Sequence, residues 1–178
     1  MKSIFTFLVL IITVNINSFA QDSLGSKITE PDFPFEPIYL DSNFIQTPLP
    51  QEHYEIIQKY GGSKGAEITY EINTANSSLI INKRNPIKLI LKQGLINGTM
   101  TNVKDIYYLY KTKQDGQKRK CMVGHVKSTG LIFQDGFDIV YKKIKSDIFL
   151  LTINNLEPGE YILVATVTKT NLFSFSVK

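Results

Sequence analysis

Within Lys111-Thr-Lys-Gln-Asp-Gly-Gln-Lys-Arg-Lys120, five basic side chains surround a central Asp-Gly pair. Clustered ammonium groups bind the oxygens of phosphates, sulfates and carboxylates through charge-assisted hydrogen bonds. Asp-Gly between alternating strands predicts a two-residue type I′ hairpin turn at Asp115-Gly116. Lys113 would then oppose Lys118, and Lys111 would oppose Lys120. Those four lysines would share one face, with Thr112 and Arg119 on the other. Like charges placed opposite one another are destabilising, and an acidic glycan or lipid headgroup would relieve the repulsion. The competing reading is a solvated hairpin tip, because lysines also protect exposed strands from aggregation. Grooves that bind nucleic acid interleave aromatic rings for base stacking. This tip has none, so nucleic acid is not an expected partner.

Other chemistry-bearing residues are sparse. His53 and His125 are the two histidines, and Cys121 is the only cysteine. Asp135 and Asp138, in Gln-Asp-Gly-Phe-Asp, could do acid–base work or bind calcium, but two acids beside a glycine are also ordinary turn composition. A hydrolytic site would need them to converge with His125 around a cleft. There is no cluster with zinc spacing, no nucleophile elbow and no phosphate loop. No cofactor or metal is therefore expected. Phe33 and Phe35, in Pro-Asp-Phe-Pro-Phe-Glu-Pro, are candidate binding residues of another kind. Pro31, Pro34 and Pro37 recur every third residue, the period of a polyproline II helix. They would form one edge of an extended arm, with the two phenylalanines on the others, ready for a partner's groove or for the chain's own domain.

The elements that position these residues begin after residue 20. Lys2, the apolar run from Ile4 to Val14 and the small residues Ser18 and Ala20 have the layout of a secretory signal peptide cut after Ala20. The run is shorter than the roughly 20 apolar residues a membrane span requires. The expected location is therefore the periplasm or the extracellular space, with no membrane span after cleavage. A lone cysteine excludes an internal disulfide, and the formal charge of +4 is a mild excess. Residues 21–50 hold five of the seven prolines, marking an arm or strap ahead of a domain at 51–178.

From Glu67 onward, apolar residues alternate with polar ones, the period of half-buried strands. The runs are 67–72, 87–92, 106–113, 119–125, 137–144, 147–153, 160–167 and 172–178. Turn chemistry separates them at Asn97-Gly98, Asp115-Gly116 and Pro158-Gly159, the last suited to a type II turn. Residues 51–60 fit a short helix between Pro50 and Gly61 or, by the alternation of Tyr54, Ile56 and Tyr60, a strand. The fold class is all-β, an antiparallel β-sandwich, with a small barrel as the alternative. A transmembrane barrel would need strands of about 9–11 residues with a lipid-facing apolar band, and several runs here are shorter.

ITYEINTANSSLIINKRNPIKLIL (68–91), DIYYLYKTKQDGQKRK (105–120) and NNLEPGEYILVATVTKTNLFSFSVK (154–178) resemble small secreted β-sandwich proteins of Bacteroidetes. Those proteins have a similar YEI strand, YLYK hairpin and closing PGEY turn before an aromatic last strand. The resemblance covers residues 67–178. It implies an immunoglobulin-like sandwich without a defined activity, and no catalytic residue carries over. The expected function is an exported, non-enzymatic envelope protein that binds or assembles with an envelope protein or an acidic glycan or lipid headgroup. The alternative is a small secreted hydrolase or carbohydrate-binding protein. The lack of Trp counts against sugar binding, although nine tyrosines keep it in play.

Overall fold

A computed structural model describes residues 25–61, 65–82, 86–167 and 170–178. The expected signal peptide, residues 1–20, lies outside them. The chain is all-β, as the alternation predicts. Sheet A contains β1 (Ile38–Leu40), β2 (Gln46–Pro48), β6 (Ile87–Lys92), β13 (Val140–Lys143) and β14 (Ile148–Ile153), in the order β13-β14-β6-β1-β2. Sheet B contains β5 (Ile80–Ile81), β9 (Tyr107–Lys111), β15 (Gly159–Thr166) and β16 (Thr170–Val177), in the order β5-β16-β15-β9. Sheet C contains β3 (Tyr54–Tyr60), β4 (Ala66–Ile72), β10 (Lys113–Asp115) and β11 (Lys118–Lys127), in the order β10-β11-β4-β3, with β12 (Gly130–Phe133) added beside β11. A small hairpin joins β7 (Leu95–Ile96) to β8 (Thr99–Met100). Its Asn97 and Gly98 both have positive φ, 51° and 76°, as the type I′ turn demands. The pairings are antiparallel except β5 with β16.

Sheet B lies between the other two. Side chains on successive strand residues point to opposite faces, so one strand can serve two cores. Tyr161, Leu163 and Ala165 of β15, with Phe173, Phe175 and Val177 of β16, pack toward Leu89, Leu91, Leu151 and Ile153 of sheet A. Ile162, Val164 and Leu172 face the other way, toward Ile68, Tyr70, Ile72, Cys121 and Val123 of sheet C. A third cluster, Ile28, Leu40, Ile90, Ile148 and Leu150, covers the outer face of sheet A.

Sheets B and C also share strands, and the pairing closes into a ring. Residues 107–115 run along β15 as far as Lys111, opposite Tyr161. Thr112 then donates its N–H to Glu160 O at 2.9 Å, and from Lys113 the chain pairs with β11 instead. On the far side, Gln51 bridges to Phe173, Glu52 N donates to Leu172 O at 2.8 Å, and Ser174 N donates to Pro50 O at 3.0 Å. The same segment continues as β3 against β4. The circuit β3-β4-β11-β10/β9-β15-β16 and back to residue 51 is thus hydrogen-bonded throughout. It encloses the second core, a small barrel whose interior is filled by side chains. Residues 51–60 resolve in favour of a strand.

Two expectations are corrected. Pro31, Pro34 and Pro37 do not form one edge of an extended arm: Pro31 and Pro37 are buried and Pro34 is exposed. Phe35 has φ 65°, which interrupts any polyproline II run, and residues 38–40 and 46–48 are strands of sheet A. The segment is a strap built into the domain. Gly159, for its part, has φ 153°, far from the value near +80° of a type II turn; it opens β15.

Candidate functional site

The basic hairpin has a different register from the one the Asp-Gly pair suggests. Asp115 lies opposite Lys118, Gln114 opposite Arg119 and Lys113 opposite Lys120. The two turn residues are therefore Gly116 and Gln117. Gly116 has φ 61°, and glycine at the first central position is the mark of a type II′ turn. The slip is two residues, so the faces survive while the partners change. Lys113, Lys118 and Lys120 still share a face, and Lys111 belongs to β9. The expected repulsion is absent because acids are interleaved. Lys120 Nζ lies 3.1 Å from one Glu71 oxygen and 2.6 Å from Asp115. Lys118 pairs with the other Glu71 oxygen. Lys111 lies 3.1 Å from Glu157. Lys113 has no carboxylate partner among the described residues.

Beside this face is a cleft of about 600 Å³, whose lining includes Lys59, Lys111, Lys113, Lys120, Met122 and Phe137. Three of the four sequence-predicted lysines meet there, and Lys118 does not line it. Lys59 was not anticipated: it comes from β3, more than fifty residues upstream, and only the β3–β4–β11 pairing brings it near. The far wall is the loop after β12. Gln134 N donates to Val123 O at 2.8 Å, and Phe137 N donates to Leu109 O at 2.9 Å. Gly136 lies so close to β9 that a Cβ there would sit 2.6 Å from Leu109 O. The Phe137 ring meets Tyr161 edge-on at 5.6 Å. Tyr110 donates its hydroxyl to Gln134 O at 2.8 Å, and burial pushes that hydroxyl well above the ordinary tyrosine range. Cys121 also touches the cleft, but it is buried and its thiol is pushed up to about 12 by desolvation. That makes it a poor nucleophile.

Of the remaining candidates, Asp135 also lines this cleft and the others do not. Phe33 is 63% exposed, whereas Phe35 packs against the first core. Phe35 N donates to Lys92 O at 2.9 Å, and its carbonyl accepts the Tyr107 hydroxyl at 2.9 Å. Phe35 is therefore structural. Asp135 lines both this cleft and a second one, which it shares with Asp138, Tyr107, Tyr108 and Tyr141, while His125 lines neither. It lies in β11 opposite Glu67 and Ile132. His53 is exposed. Among the described residues no three His, Cys, Asp or Glu side chains are grouped to hold a metal. Nor is any described helix long and apolar enough to cross a membrane.

The strongest polar constellation was not anticipated. Arg119 points into the end of the barrel and has no exposed surface. Its Nε donates to Thr74 O at 2.9 Å, and Nη2 donates to Thr74 Oγ1 at 2.9 Å and to Glu52 Oε1 at 2.8 Å. Nη1 donates to Glu160 Oε2 at 3.3 Å. Glu160 also accepts Ser77 N at 2.8 Å and the Ser176 hydroxyl. Ser174 donates to Glu52, and Ser174 Oγ lies 2.8 Å from Ser77 Oγ. A hydroxyl has one proton, so Ser77 must donate to Ser174. The guanidinium thus joins β11, β15, the 73–79 loop and residue 52. With four of its five N–H donors engaged and no exposed surface, it is a structural plug with no room for substrate. No family model matches the chain, and neither a curated protein nor a solved structure shows significant similarity to it.

Proposed function

We propose that the chain is an exported, non-enzymatic binding module of the cell envelope, and that its lysine-lined cleft takes an acidic group. The observation that carries this reading is the convergence of Lys59, Lys111, Lys113 and Lys120 on one cleft that also exposes Met122 and Phe137. Lys113 lacks a carboxylate partner among the described residues, so its charge is available. An anionic oxygen, from a phosphorylated glycan or a lipid headgroup, fits the ammonium groups, and the apolar wall fits the attached sugar or acyl stem. In this reading sheets A and B correspond to the immunoglobulin-like sandwich that the sequence resemblance implies, and sheet C completes the binding surface.

The test is salt-dependent binding of a phosphorylated disaccharide and of vesicles containing anionic lipid. Lys113→Gln should weaken binding by about tenfold, the value of one lost charge-assisted hydrogen bond. Lys118→Gln, outside the cleft, should leave binding near wild type. Equal effects of the two substitutions, or binding indifferent to salt, would sink the proposal.

A further inference from the structure

We propose that the free edge of β3 is a self-complementary interface that pairs two copies of this chain into a symmetric dimer. Strand β3 ends sheet C. Its backbone phase follows from two bonds. Gly61 N donates to Gly65 O on the β4 side, so Glu55, Ile57 and Lys59 direct their N–H and C=O groups toward β4. Glu52 N donates to Leu172 O on the opposite side, in the same alternation. Strand β16 therefore covers this edge at residues 50–52. From Ile56 to Tyr60 no described backbone group does. A row of open donors and acceptors is a template for another strand.

The sequence Tyr54-Glu-Ile-Ile-Gln-Lys-Tyr60 matches itself in reverse. Two antiparallel copies related by a two-fold axis at Ile57 place Glu55 opposite Lys59 twice, Ile56 opposite Gln58 twice, and Ile57 opposite Ile57. Tyr60 falls opposite Tyr54. This register agrees with the backbone phase: Ile56 and Gln58, whose bonding groups point outward, become a hydrogen-bonded pair. Glu55 and Lys59 become a non-hydrogen-bonded pair, where side chains approach most closely. An isologous contact of this kind closes after two copies. The pairing also accounts for two conspicuous apolar exposures, Ile56 at 61% and Tyr60 at 89%. Lys59 has no carboxylate partner among the described residues, and the Glu55 carboxylate meets only Asn73 Nδ2 at 3.4 Å. The two charges are thus available to each other across the axis.

Sedimentation of the purified protein tests the register by charge exchange. Wild type should dimerise, with an affinity in the micromolar range expected of a small interface. Glu55→Lys and Lys59→Glu should each weaken the dimer by at least about tenfold, because each creates two like-charge pairs. The double variant E55K/K59E should restore it. Ile57→Cys should form an inter-chain disulfide on mild oxidation, since a non-hydrogen-bonded pair separates Cα atoms by about 4.5 Å, within disulfide range. Buried Cys121 will not compete. A monomeric wild type, a dimer indifferent to E55K, or a double variant no tighter than the singles would each overturn the proposal.

Discussion

Replacing Arg119 with Met is the most informative single perturbation of this fold. The side chain is fully enclosed, and four of its five N–H donors are engaged with Thr74, Glu52 and Glu160. Methionine keeps much of the aliphatic volume and removes the charge. Glu52 and Glu160 then face one another at 14% and 15% side-chain exposure without a counter-charge. Removing one partner from a buried ion pair costs about 3–5 kcal/mol, chiefly because the other charge remains buried. For a domain of this size that corresponds to a fall in Tm on the order of 10 °C. Urea denaturation followed by circular dichroism should show a lower midpoint with an unchanged slope. The triple variant R119M/E52Q/E160Q should recover more than half of the loss, since no orphaned charge remains. A single variant that loses less than about 1 kcal/mol, or a triple no more stable than the single, would refute this account of the barrel end.

Three further outcomes follow from local geometry. The hydrogen bond from Lys118, then that from Lys120, holds the Glu71 carboxyl below its ordinary value of 4.5. Its stabilising contribution is therefore fully present above the unfolded value and is lost as pH falls through the lower folded one. An NMR titration should find the Glu71 midpoint below 4.5 and see it rise in K118Q/K120Q; a wild-type midpoint at or above 4.5 would remove the argument. Cys121 should resist thiol reagents at pH 8 in the folded state and react in urea, so rapid labelling of native protein would contradict its burial. Gly124→Ala should destabilise by about 2 kcal/mol or more, because the new Cβ would meet Ile132 O at 2.1 Å. Gly98→Ala, with open space at φ 76°, should cost about 1 kcal/mol, the backbone penalty alone, and thermal melts of the pair check the contrast.

Much of the strand grammar was legible in the sequence. The alternating runs at 67–72, 87–92, 147–153 and 160–167 became β4, β6, β14 and β15 within a residue or two. Period two reports which residues share a face, and the hairpin face of Lys113, Lys118 and Lys120 survived for that reason. Partners were less legible. Asp-Gly and Gly-Gln are adjacent candidates for the same turn, and choosing between them moves every cross-strand neighbour by two residues. Arg119 was placed on the opposite face from the lysines, but nothing local says that this face is the inside of a barrel. Its partners Glu52 and Glu160 lie 67 and 41 residues away, so only the closed topology unites them. Lys59 was missed from the cleft for the same reason. The proline segment misled because spacing alone says nothing of the positive φ at Phe35.

The junction of Gln51 with Phe173 carries a consequence for the order in which the molecule can be made. The two residues that lock the ring are separated by most of the chain, and loop closure over such a span must be met before the contact rewards it. During synthesis the first half emerges with β3 and β4 able to form a hairpin, while the edge that β16 will cover stays open. The ring cannot lock until the last strand is available. A chain stalled or trimmed before residue 173 would keep its strand edge bare from residue 50 to residue 60, which lengthens the surface on which copies can misassociate. Strand β16 thus acts as a completion signal, converting an adhesive intermediate into a closed barrel whose β3 edge stays open only beyond residue 52.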